Sequence, residues 1–345
     1  MTSGCILVLD TATAAVRASV SVPGYDPDDL AASLDAPDSP FLNRALESYA
    51  VGSVFKPVLA AAALEQAILP EYECTGAMVV DGQIFRCAGG VPHGTVDMTA
   101  ALEKSCNGYF IRLGQQLGAE TLLQMSRQLG FGQEVPVAGA LHADAGKLPS
   151  AGELAQSGQL ANFSFGQGGL LASPVQIAAM MNTIASGGVY RTPFFVCGSV
   201  DETDGTPLET LAHPQSRRVM SAENAALLRK MLQQVVEEAP HRMLPGWKKG
   251  LAARPVPRRP GSSHRMARNA KTCGSQGFTR RSSRATPLWC CRTAGEHGTF
   301  QRRHLCPAVR NAGPSGIKMH GFCLLFCACY ATIYLYFCVV FVELK

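Results

Sequence analysis

Ser53 and Lys56 stand one helical turn apart in Gly52-Ser53-Val54-Phe55-Lys56-Pro57. At that spacing both side chains share one helical face. A serine hydroxyl is a weak nucleophile until a base takes its proton, and a lysine kept neutral by its surroundings can be that base. The N–H groups at a helix start also favour a developing oxyanion. A Ser-x-x-Lys alone is weak evidence, because an exposed Ser and Lys on a helix is the ordinary explanation. A second group follows about fifty residues later, Ser105-Cys106-Asn107. Ser105 could relay a proton, and Asn107 could orient both a lysine and a substrate carbonyl. The bland alternative is a solvated turn between helices.

These residues need a scaffold, and residues 1–238 read as a globular α+β sequence with helices in the majority. Cys5–Leu9 and Val16–Val22 are apolar runs around a Thr/Ala turn, which predicts a hairpin. Pro57–Ile68 is a continuous apolar helix with Pro at a tolerated first-turn position. Leu102–Leu117 and Glu120–Leu129 carry apolar residues at helical spacing, with Gly118 as the stop between them. Pro174–Ala185 and Ala222–Val236 repeat the pattern, the latter with Ser221 as N-cap. Pro23–Asn43 is a Pro/Asp-rich loop. Gly166–Gly169 lacks the Lys-Ser/Thr of a phosphate loop and the third spaced Gly of a dinucleotide turn, so it predicts neither.

The 345-residue chain is 47% hydrophobic, enough for a sizeable core, which excludes a mostly disordered protein. Its net charge of +5 hides a split. Residues 1–238 carry 13 basic against 24 acidic side chains, and residues 239–345 carry 18 against 2. Of 13 cysteines, 8 lie after residue 238. Neither half matches the average, so net charge does not license nucleic acid as a partner. No Cys-x-x-Cys occurs, which argues against a zinc ribbon or a thioredoxin-type site. No charged segment followed by an apolar run opens the chain, so no signal or N-terminal anchor is expected. Residues 239–319 read as a basic, low-order tail. Residues 320–345 contain Gly321–Val342, 22 residues without a charge and long enough to span a bilayer.

Ser-x-x-Lys followed by Ser-x-Asn resembles the active-site serine penicillin-recognising enzymes. The resemblance extends in order over residues 5–238. It takes in Pro40–Leu46 before the nucleophile, then Tyr72–Gly76, His93–Asp97 and Ala101–Glu103 between the motifs. Leu160–Gly168 and Ala172–Gln176 follow the second motif. It is closest to class B penicillin-binding proteins, the monofunctional D,D-transpeptidases of elongation or sporulation. The resemblance implies the penicillin-binding protein transpeptidase and serine β-lactamase-like fold. It implies an enzyme that cross-links peptidoglycan stem peptides through an acyl-serine, at the extracytoplasmic face of the cell membrane, with β-lactams as covalent inhibitors. By resemblance, Ser53 is the nucleophile, Lys56 the base, Ser105 the proton relay and Asn107 the orienting amide, and no metal or cofactor is implied. One rival is a serine β-lactamase, which shares both motifs. The other is an inactive truncated product with a basic, membrane-associating tail.

The family's third motif, Lys-Thr-Gly on a strand, is absent in frame. Lys271-Thr272-Cys273-Gly274 is a decoy with Cys where the Gly belongs. The expected place is occupied by Ala253–Gly261. If each codon there takes the third base of one residue and the first two of the next, Arg254–Gly261 can encode Lys-Thr-Gly-Thr-Ala-Gln-Thr-Gly. Each shifted codon permits only a handful of residues, so eight agreements at the expected place argue for a slip. In the same frame Gly274–Arg280 can read Trp-Phe-Ser-Gly-Phe-Tyr-Pro, and Trp289-Cys290-Cys291 an aliphatic followed by Val-Leu. The expectation is therefore a transpeptidase domain out of frame after about residue 238. Its sheet should keep the N-terminal hairpin and lose its later strands, and its activity should be impaired.

Overall fold

The computed structural model describes residues 3–36, 38–201, 203–204, 206–210, 216–238 and 337–344. The chain opens with the expected hairpin, β1 (Ser3–Asp10) and β2 (Val16–Val22). The Pro/Asp-rich loop follows and contains one short helix, α1 (Ala31–Leu34). Arg44, 4% exposed, stitches that loop by donating from its guanidinium to the carbonyls of Asp38, Ser39 and Leu42. After β3 (Tyr49–Ala50), a 3₁₀ turn over Gly52–Phe55 feeds α2 (Lys56–Glu65). Pro57 sits in the first turn, where an N–H would have no helical partner anyway.

A run of short strands comes next: β4 (Tyr72–Cys74), β5 (Ala77–Val80), β6 (Gln83–Arg86) and β7 (Gly94–Val96). β5 and β6 form a hairpin, and β4 pairs antiparallel with β7. Three helices follow, α3 (Met98–Glu103), α4 (Asn107–Leu117) and α5 (Ala119–Gln128). The apolar period over Leu102–Leu117 predicted one helix, whereas the chain breaks at Ser105-Cys106 into two. Gly118 ends α4 at φ 79°, as expected of a stop. Beyond lie β8 (Val135–Ala138), β9 (Leu141–Ala143), α6 (Ala151–Leu154), α7 (Ser157–Phe163), β10 (Leu171–Ala172) and α8 (Pro174–Ala185). The remainder is β11 (Val189–Arg191), β12 (Gly198–Val200), β13 (Pro207–Thr210), β14 (Ser216–Arg218), α9 (Ala222–Glu238) and β15 (Phe337–Leu344). Ser221 caps α9 as expected, accepting from the Asn224 N–H at 3.0 Å.

The core gathers around α2, whose residues from Lys56 to Leu64 are all buried. A helix that is apolar on every face must be covered on every face, and α4, α5 and α9 pack on α2. α8 packs against β1 and β15. Gln176 of α8 is fully buried, with its Nε2 within 3.2 Å of the Gly130, Gln133 and Ala145 carbonyls, so it ties the helix to the segments before β8 and after β9.

The main sheet has the order β15–β1–β2, antiparallel throughout. The expected hairpin thus has a third strand beside it. Residues 337–344, read in the sequence as the end of a bilayer-length run, pair along β1 from Ser3↔Leu344 to Asp10↔Phe337. The physical reason is that β1 otherwise offers a full row of unpaired N–H and C=O groups, and Phe337–Leu344 is rich in strand-favouring Phe and Val. Residues 239–336, including the decoy Lys271–Gly274 and most of the charge-free run, lie outside the described residues. Among the described residues, no helix is long and apolar enough to cross a membrane.

Candidate active site

Ser53 sits in the 3₁₀ turn that precedes α2, and Lys56 is the first residue of that helix. Two features hold the turn. Phe55 is fully buried against Phe131 and Phe163, with ring centroids 5.4 and 4.9 Å away. Gly52, at φ 67°, donates its N–H to the Gly166 carbonyl at 2.8 Å. The approach is so close that a Cβ on Gly166 would lie 1.8 Å from the Gly52 oxygen. Gly166 is thus a packing glycine beneath the turn that carries Ser53. Past the same loop, Glu153, Gln156, Gln159, Asn162, Gly168 and Gly169 line a polar groove of about 500 Å³.

Ser105 and Asn107 come from the break between α3 and α4. Ser105 closes α3: its N–H donates to the Leu102 carbonyl at 3.2 Å, and the Cys106 N–H donates to that of Ala101 at 2.8 Å. This paired closure needs a left-handed residue at its centre, a place usually taken by glycine. Ser105 occupies it at φ 51°. The strained turn aims both the Ser105 carbonyl and its hydroxyl at Lys56. Asn107 then begins α4. Its Nδ2 donates to the Arg86 carbonyl at 2.9 Å, which fixes the amide and leaves Oδ1 facing Lys56.

The four expected residues therefore meet. Lys56 Nζ lies 3.2 Å from Ser53 Oγ and 2.8 Å from each of Ser105 O, Ser105 Oγ and Asn107 Oδ1. The Phe110 ring centroid is 5.5 Å away. Lys56 is 2% exposed, and burial lowers its pKa from 10.5 to about 7, with partial opposition from Cys106 and Cys87. The coordination suits a neutral amine. Ser105 O and Asn107 Oδ1 can only accept and take two N–H bonds from Lys56, whereas a serine hydroxyl can either accept from the amine or donate to it once it is neutral. The arrangement can deprotonate Ser53 Oγ and hand a proton on to Ser105.

Behind Ser105 lies a group that the short-spacing test on cysteine missed. Cys74, Cys87, His93 and Cys106 bring all their ligand atoms within 4.8 Å of one another. Cys74 and Cys87 are thirteen residues apart and Cys87 and Cys106 nineteen, with hairpin and helix between them, so local spacing gives no signal.

Comparison with known proteins agrees with this geometry. The family model "Penicillin binding protein transpeptidase domain" matches residues 4–252. Peptidoglycan D,D-transpeptidase PbpA of Mycolicibacterium smegmatis is 32% identical over 249 residues, covering 66% of this chain and 50% of that protein. Stage V sporulation protein D of Bacillus subtilis is 29% identical over 225 residues, 63% of this chain and 34% of that one. The chain thus spans about half or less of these relatives. The penicillin G acyl-enzyme complex of penicillin-binding protein A from M. tuberculosis superposes with a TM-score of 0.61 at 28% identity, covering 68% of this chain and 58% of that one. With the motif order, the converging side chains and a family match over most of its length, the chain belongs to the penicillin-binding protein transpeptidase domain family.

Proposed function

We propose that the site is that of a serine-type D-Ala-D-Ala transpeptidase that cross-links peptidoglycan stem peptides. The observation that carries the reading is the buried amine of Lys56 held between the Ser53 and Ser105 hydroxyls. Ser53 Oγ attacks the carbonyl of the penultimate D-Ala while Lys56 takes its proton. Ser105 passes a proton to the departing D-Ala amine, and Asn107 holds Lys56 and the substrate amide in line. The acyl-Ser53 ester is then attacked by the amine of a neighbouring stem peptide. A β-lactam mimics the donor and stops at the ester. The family places such enzymes at the extracytoplasmic face of the membrane, and the same location is proposed here.

The Ser53 N–H supplies one oxyanion donor. The second belongs to the Lys-Thr-Gly strand, which the chain as written does not encode in frame. The family match ends at residue 252, immediately before Ala253–Gly261, where that motif belongs. The end of the match supports the proposal that the frame is lost before that motif and that the chain is impaired. The test is exchange of the terminal D-Ala of a donor stem peptide for another D-amino acid. A protein with the frame restored after Glu238 exchanges, and its Ser53→Ala and Lys56→Ala variants do not. Exchange that survives Ser53→Ala refutes the assignment.

A further inference from the structure

We propose that Cys74, Cys87, His93 and Cys106 form a closed tetrahedral Zn²⁺ site that anchors the turn carrying Ser105 and Asn107. The distances match such a centre. Cys74 Sγ lies 3.7 Å from Cys87 Sγ and 3.5 Å from His93 Nδ1, and Cys87 Sγ lies 3.9 Å from Cys106 Sγ. A tetrahedral zinc with Zn–S of about 2.3 Å and Zn–N of about 2.0 Å separates its sulfurs by about 3.8 Å and sulfur from nitrogen by about 3.5 Å. The three thiols are buried, at 2%, 4% and 0% exposure for Cys74, Cys87 and Cys106. A disulfide joins only two sulfurs, at about 2.05 Å, and leaves the third thiol and the imidazole without a purpose. Soft thiolates exclude Mg²⁺ and Ca²⁺, which take oxygen ligands.

The backbone is built around the four ligands. In the β4–β7 ladder Cys74 faces Gly94, next to His93. The His93 N–H donates to the Cys74 carbonyl at 3.1 Å, and the Cys87 N–H to that of Gly76 at 3.0 Å. Gly76, at φ 90°, passes so close to Gly90 that a Cβ there would sit 2.3 Å from its oxygen. The Tyr109 N–H reaches Cys106 Sγ at 3.5 Å. Such N–H···S bonds stabilise thiolate ligands and fix their direction. Zn²⁺ binding displaces the three thiol protons to solvent and leaves a centre of net charge −1. With four protein ligands it has no open position, so its role is structural.

Its place gives it a consequence. Cys106 lies between Ser105 and Asn107, and Cys87 follows Arg86, whose carbonyl holds the Asn107 amide. One ion therefore pins both sides of that amide. The inference does not rest on the proposed activity and stands even if Ser53 is never acylated.

The test uses the full chain, reduced, stripped by chelator and titrated with Co²⁺. The expected result is the intense visible and near-ultraviolet absorption of tetrahedral cobalt thiolate, saturating at one equivalent and displaced by Zn²⁺. The titration is repeated with Cys273, Cys290, Cys291, Cys306, Cys323, Cys327, Cys329 and Cys338 replaced by Ser, and the spectrum should persist. In that background Cys74→Ser with Cys106→Ser should abolish it. His93→Gln should alter the bands and weaken binding by more than about tenfold. Loss of the absorption when only the eight distal cysteines are replaced overturns the proposal. So does absence of any thiolate–cobalt absorption in the reduced full chain, which decides the matter even if the ligand variants do not fold. Formation of a Cys87–Cys106 disulfide in the presence of excess Zn²⁺, read by intact mass and peptide mapping, overturns it too.

Discussion

Ser105 holds a glycine's place in the turn that closes α3, and substitution there should separate stability from chemistry. At φ 51° any residue with a Cβ is strained, by roughly 1–2 kcal/mol. Glycine removes that strain but gains unfolded-state freedom worth roughly 0.5–1 kcal/mol. Ser105→Gly should therefore be more stable than Ser105→Ala by roughly 0.5–1 kcal/mol, a few degrees in Tm at most for a domain of this size. Both variants lose the hydroxyl 2.8 Å from Lys56 Nζ, so both forfeit that one hydrogen bond equally, and it cancels from the comparison. Denaturant unfolding of the full chain carrying each variant gives the stability difference. Acylation by penicillin, measured on the frame-restored protein, should fall in both variants alike. An alanine variant as stable as the glycine variant, or more so, would show that Ser105 does not hold the left-handed turn. Activity returning with glycine would show that the hydroxyl is not the relay.

Three further residues give outcomes of the same kind. Burial holds the Lys56 pKa at about 7, so acylation of the frame-restored protein should rise with pH through about 7 and level off above it. Because the folded value lies below the ordinary 10.5, the unfolded chain binds the extra proton between the two values, and this group's contribution makes stability rise with pH over that window. A flat rate profile from pH 6 to 9 counts against a neutral Lys56 base. Gly166→Ala places a Cβ 1.8 Å from the Gly52 oxygen at φ 83° and should cost on the order of 3 kcal/mol in denaturant unfolding, with acylation of Ser53 lost as its turn shifts. Ser221→Ala removes the cap of α9 and should cost about 1 kcal/mol with the acylation rate unchanged.

How much of this was legible in the sequence differs from residue to residue. Ser53 and Lys56 announce themselves because their spacing survives any detail of the turn between them. α8 was legible to the residue because Pro174 suits a first helical turn and apolar residues recur at helical spacing as far as Ala185. The break between α3 and α4 was not, because the apolar period runs through Ser105-Cys106 and nothing local requires a serine to turn left-handed. That turn exists because Lys56, forty-nine residues earlier in the chain, meets it in space. The Cys/His cluster was hidden for a related reason. Its ligands come from a strand end, two loops and a helix cap, so only tertiary structure brings them together. β15 gave no strand signal of its own, because an apolar run of Phe and Val reads equally as membrane or strand and its partner β1 lies at the other end of the chain.

The most direct test of the central claim is acylation by a fluorescent penicillin, of this chain beside the version with the frame restored after Glu238. On the proposed reading, Ser53, Lys56 and Ser105 act alike in both, and only restoring the frame supplies the strand with the second oxyanion donor. Losing one such donor alone costs on the order of a hundred- to a thousand-fold in rate, and losing substrate positioning adds to that. The account predicts Ser53-dependent labelling of the restored protein and almost none of this one. Equal labelling of both, abolished in each by Ser53→Ala, would contradict it.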